Sequence, residues 1–178
     1  MTDTENTRPE ETVLPESTAE ETVSASSDAE TTSENKPIQA VQQSLRGAVF
    51  DEVDLDCAVF HSSNLYCIAI SKSNVNECRI EECAMENAQF RNLGMKHASY
   101  QAADLQGAVF TDVNLLGSTI KHSGMQDARF SNMNLSGSEF QNCSLEDAHF
   151  NNCDWENATI DGIPVRDMIS AYMEVQNS

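Results

Sequence analysis

The sequence predicts an all-β chain wound into a four-sided parallel β-solenoid of about six coils, with an acidic tail before it and a short helix after it. Three observations carry this. From Leu45 to Ile160 every fifth residue is a large apolar one, 24 centres in succession. The residue two places before each centre is usually small. Every fourth centre repeats the same kind of side chain, so the pattern closes on itself after 20 residues.

The tail comes first. Residues 1–37 carry ten acids against Arg8 and Lys36, and beyond Met1 their only large apolar residues are Val13, Leu14 and Val23. High charge with little to bury does not offset the entropy of ordering, so this segment is expected to be disordered. It has neither a basic n-region nor an apolar h-region, and no stretch of the chain approaches a membrane span. The expectation is a cytoplasmic protein without a membrane partner.

The solenoid is expected over residues 38–163. If large apolar residues fell at random with a frequency near ~0.3, 24 hits in 24 positions would have a probability on the order of 10⁻¹², register choice included. Five is neither the helical period of 3.6 nor the strand period of 2. A helix would rotate each successive centre about 140° away from the last. The period works if each block forms one side of a square coil, with its centre and its small residue both facing inward.

The 20-residue closure assigns the core. Phe50, Ile70, Phe90, Phe110, Phe130 and Phe150 form one column, and Phe60, Ile80, Tyr100, Ile120, Phe140 and Ile160 form the opposite one. The other two columns are Leu, Met or Val with a single Trp155. Like side chains stack on like, as identical rungs require. Small residues such as Ala48, Ala58, Ser63, Ser73, Cys78 and Cys83 occupy the second inward position, while Val53, Ile68, Leu93, Val113 and Met133 are larger exceptions.

Blocks such as ADLQG, VNLLG, MNLSG and CDWEN place Asp or Asn directly before the centre. This pattern resembles the pentapeptide-repeat family, whose consensus is a small residue, Asp or Asn, Leu or Phe, and two freer positions. The resemblance implies a right-handed quadrilateral β-helix. It also brings in two family properties. Some members mimic the width and charge of B-DNA, occupy the DNA site of type II topoisomerases and confer quinolone resistance. In some, C-terminal extensions pair two rods.

The helix is expected over residues 164–178. Pro164 suits a first helical turn, and Val165, Met168, Ile169 and Tyr172 follow i, i+3, i+4, i+7 spacing. Two roles fit this face: a lid over the last coil, which is the favoured one, or a homodimer contact.

Few residues are left for chemistry. Cys78, Cys83, Cys143 and Cys153 sit at the small inward position, where a thiol packs as a compact hydrophobe. Cys57 and Cys67 fall at block ends on opposite sides. His61, His97, His122 and His149 lie at outward positions on three different sides. No catalytic set, metal site or cofactor site is expected.

Charge remains. The side of Leu55 (Asp54, Asp56, Glu77, Asp154 and Glu156 against Lys96) and the side of Leu65 (Glu86, Asp104, Asp127, Glu146 and Asp147 against Arg46) each carry net −4. The side of Phe60 carries net −2 and that of Phe50 net zero. Both tail and rod are acidic, which disfavours direct nucleic-acid binding, since binding a polyanion needs clustered Lys and Arg. The expectation is a non-catalytic scaffold or protein-interaction module of unknown partner. The alternative is a DNA-mimicking modulator of gyrase. Against that alternative, residues 85–140 hold five acids and four bases, a nearly neutral waist, and the register has no inserted loop.

Overall fold

The computed structural model describes residues 37–176. The expectation of disorder for residues 1–36 lies outside the described residues, as do the last two positions of the expected helix.

Each five-residue block turns one corner. Every fifth residue from Gln42 to Gly162 adopts a left-handed backbone, with φ between +48° and +60° at the non-glycine positions. Between corners the chain is extended, and the coil returns to its starting side after four blocks.

Two sheets form opposite sides of the square. One contains β1 (Gln39–Val41), β3 (Val59–His61), β5 (Arg79–Glu81), β7 (Ser99–Gln101), β9 (Thr119–Lys121), β11 (Glu139–Gln141) and β13 (Thr159–Ile160), all parallel and in that spatial order. The other contains β2 (Val49–Asp51), β4 (Ala69–Ser71), β6 (Gln89–Gly94), β8 (Val109–Asn114), β10 (Arg129–Ser131) and β12 (His149–Asn151). Partners lie 20 residues apart throughout, as in Phe90↔Phe110 and Ile80↔Tyr100. The remaining two sides are mostly single bridges, Ser44↔Asn64↔Ala84↔Asp104 on one and Asp54↔Asn74↔Gly94 on the other, where β6 and β8 also pair through Leu93↔Val113 and Gly94↔Asn114. The fold is a parallel β-solenoid of about six coils with one short C-terminal helix. At a strand spacing of about 4.8 Å, six coils make a rod of about 29 Å.

The rod is filled by its inward columns. Phe90, Phe110 and Phe130 are buried, and Phe50 and Phe150, in the first and last coils, are half-buried. Rings stack at 4.5 Å for Phe90–Phe110, 5.0 Å for Phe110–Phe130 and 4.5 Å for Phe130–Phe150. The larger exceptions at the second inward position are inward too: Ile68, Leu93, Val113 and Met133 are buried. Four of the five, Val53, Leu93, Val113 and Met133, share one column, so one corner of the square is packed with larger side chains than the other three.

Buried serines at that position have a structural use. The Ala98 N–H donates to Ser118 Oγ at 3.1 Å, and that hydroxyl donates to the Met95 carbonyl at 2.9 Å. Ser123 and Ser138 likewise donate to backbone carbonyls. A hydroxyl here stays buried because it is fully engaged with the backbone.

Two expectations at the chain's ends are corrected. The inward series begins one block earlier than Leu45: Ala40, in β1, pairs with Phe60 and is buried. Alanine is small, so a search for large apolar residues passes over it. At the other end, Pro164 does not open the helix. Gly162 at φ +78° reverses the chain, Ile163–Pro164 forms β14 antiparallel to β13, and α1 runs over Val165–Gln176.

Candidate interaction surfaces

Among the described residues the interior is filled by packed side chains. Tyr100 is completely buried, its hydroxyl 3.6 Å from Met95 Sδ, and burial pushes its pKa well up. Burial also pushes the Cys78 thiol up to about 12 and raises those of Cys83, Cys143 and Cys153. Such thiols stay protonated and inert. Cys57 and Cys67 are exposed, and all six cysteines are free. Among the described residues, no three His, Cys, Asp or Glu side chains come together as a metal site. His61 Nδ1 lies 3.5 Å from Glu81 Oε2 in the coil above, without a third group. No described helix is long and apolar enough to cross a membrane.

The sides are flat and polar. The two net −4 sides are the ones held mostly by single bridges, while the two sheets are centred on the less acidic sides. Lys72 crosses from the second coil to the first, reaching Asp51 at 3.4 Å and Glu52 at 3.2 Å. The Ser71 hydroxyl donates to Asp51 at 2.6 Å, and with Lys72 it holds that carboxyl below its usual range.

The two ends differ from the sides. At the C-terminal end Leu145, Phe150, Trp155 and Ile160 are only half-buried. Helix α1 is tied to this end at its first residue. Val165 is 6% exposed and its N–H donates to the Ala158 carbonyl at 3.1 Å. Met168 is half-buried, but Ile169 is 51% and Tyr172 63% exposed. The apolar face expected at Val165, Met168, Ile169 and Tyr172 therefore forms, yet most of it leaves the rod. Gly162 reverses the chain before α1, and the exposed Ile169 and Tyr172 leave both expected roles of this face, lid and homodimer contact, in play. At the N-terminal end Ile38, Val41 and Val49 are exposed, and Leu45, Phe50 and Val53 are half-buried. This end was not singled out in the sequence, because a uniform period carries no mark of where the first coil stops.

The coil geometry agrees with a family comparison. The family model described as pentapeptide repeat region matches residues 93–168. Residues 93–168 are thus a pentapeptide repeat region. Comparison with curated proteins gives no match. Among solved structures, the chain is similar to Rfr23, a pentapeptide repeat protein from the cyanobacterium Cyanothece 51142, at 17% identity over 69% of this chain and 91% of that one, TM-score 0.36. It is similar to a pentapeptide repeat protein from the Arabidopsis thaliana thylakoid lumen at 20% identity over 74% of each chain, TM-score 0.37. It is also similar to full-length QnrB1, a plasmid-mediated fluoroquinolone resistance protein, at 17% identity over 80% of this chain and 98% of that one, TM-score 0.30.

Proposed function

We propose that this rod is a non-catalytic protein-interaction module of the cytoplasm that works as a homodimer joined through α1 and the C-terminal end. The observation that carries the reading is the exposure of Ile169 and Tyr172 on a helix whose only buried residue is Val165, beside a half-buried end coil. A second copy would cover both at once, and an isologous contact lets the same helix serve both partners. Six free thiols suit a reducing compartment. The packed interior of the described coils supports docking on the outer sides as the mode of action.

Sedimentation velocity tests the dimer. The full chain is expected to sediment as a dimer at micromolar concentration, and Tyr172→Glu as a folded monomer with unchanged far-UV circular dichroism. A wild-type monomer rejects the dimer.

A second reading, occupation of a type II topoisomerase's DNA site, draws on the two opposite sides of net −4. The nearly neutral waist speaks against it, since duplex charge is continuous. A supercoiling assay with purified gyrase, paired with quinolone susceptibility on overexpression, separates the two. Inhibition with protection would replace the first reading.

A further inference from the structure

We infer that the N-terminal end of the rod, at β2, receives an extended, basic and apolar segment of another protein as an added strand. This rests on the reading of the rod as an interaction module and concerns the end away from α1.

The backbone there is prepared for pairing. Parallel ladders engage alternate residues. In the first coil the Ala48 carbonyl accepts from Ala69 and the Glu52 N–H donates to Ser71, so both face the second coil. The amide groups of Val49 and Asp51 between them turn to the outer edge, where no further strand pairs among the described residues. In β1 the Ile38 carbonyl accepts from Val59 and the Gln42 N–H donates to His61, which turns Gln39 and Val41 outward in the same way. An edge of this kind is a template for another strand.

The side chains say what that strand must carry. In every coil, inward residues stack on inward ones and outward on outward ones. A strand laid on β2 therefore places one side chain on the half-buried Phe50 ring, where an apolar group is needed. The next positions fall over Asp51 and Glu52. The second coil answers these from the other face with Lys72, at 3.4 Å and 3.2 Å. Two carboxylates against one ammonium leave a negative charge at the rim, and Asp54 and Asp56 add to it. Arg46, the one base of the first coil, is turned onto the Tyr66 ring at 4.9 Å. A lysine or arginine on the added strand would pair with this rim.

The same charges decide among occupants. The segment formed by residues 1–36 is attached at this end but carries ten acids against Arg8 and Lys36. A second copy would bring the same four acids against these four. Both are repelled, whereas a basic segment is attracted.

The probe is a fluorescein-labelled hexapeptide, Thr-Val-Phe-Lys-Lys-Thr, with Thr-Val-Phe-Glu-Glu-Thr as its counterpart, titrated with the full chain. The lysine peptide is expected to bind, more weakly as salt rises, and to slow amide exchange at Val49 and Asp51. The exposed double substitution Asp51→Asn with Glu52→Gln should weaken it about tenfold. No binding, equal binding of the two peptides, an unaffected double variant, or protection elsewhere on the rod overturns the inference. Sedimentation of the same samples reports the α1 dimer separately, so lost peptide binding beside an intact dimer rejects this inference alone.

Discussion

Replacing Phe110 by alanine removes the middle ring of the stack that runs from Phe90 to Phe150. The side chain is 2% exposed and lies flat against a ring on each side, with interplanar angles of 13° and 12°. Truncating a buried phenylalanine costs about 3–5 kcal/mol. Each stacked pair contributes about 0.5–1.5 kcal/mol beyond area burial. Both pairs are lost together, so about 5 kcal/mol is expected. With a urea m-value of about 2 kcal/mol/M, the midpoint should fall by about 2.5 M. Phe50→Ala is the internal comparison: that ring is half-buried and faces Ile70, so about 1–2 kcal/mol is expected. Thr111→Asp, one residue along but outward, should cost less than about 0.5 kcal/mol. Solenoid cooperativity can break between coils, so two probes are needed. Far-UV circular dichroism follows the whole rod. Trp155, the sole tryptophan, reports the last coil, where it lies 4.9 Å from Phe150. Equal midpoint shifts for the Phe110 and Phe50 variants would refute the stacked-core argument.

Further outcomes are expected. Ala102 holds φ +51°, a conformation that costs a non-glycine residue about 1–2 kcal/mol, so Ala102→Gly should raise the urea midpoint despite glycine's usual penalty. Ser118→Ala removes the bridge between Ala98 and Met95 and should cost about 1–2 kcal/mol, whereas Ser62→Ala, whose hydroxyl meets Glu82 on the surface, should be silent by the same measurement. Burial raises the Cys78 thiol from 9.0 to about 12, so the folded state holds that proton more tightly than the unfolded one. Its contribution is therefore intact below pH about 9 and lost as pH rises towards about 12. Denaturation midpoints across that window should fall less for Cys78→Ala than for the wild type. At pH 8 a thiol reagent should modify Cys57 and Cys67 quickly and Cys78 only on unfolding.

The repeat and its 20-residue closure were legible because inward side chains must be apolar, and apolarity survives in sequence. The corners were not. Left-handed residues face solvent, and the early ones are Glu52, Cys57, Lys72, Glu77 and Glu82, types that do not announce a turn. From Asp127 onward the corners are Asp, Asn, Gly or a like residue at every step, and that enrichment would have revealed them. The larger residues at the small position read as scattered exceptions until the coil register gathers Leu93, Val113 and Met133 into one column. The face on α1 was legible as an apolar stripe, but its destination was not. A period of 3.6 says which residues share a face. What that face meets depends on how the chain turns before it, and the reversal at Gly162 carries no mark in that period. The first-coil edge had no sequence signal, because Phe50 reads the same whether or not a coil lies beyond it.

The constant register between coils makes length a discrete variable. A duplicated 20-residue unit, inserted between two corners in the middle of the rod, would restore every inward column and every backbone ladder. It would leave the first coil and α1 unchanged and move them apart by about 4.8 Å. Insertions of other sizes would turn the downstream coils' inward residues to solvent or rotate the two ends relative to one another. The pentapeptide coil is in this sense a ruler with fixed graduations, and the number of turns sets how far apart anything held at its two ends must stand.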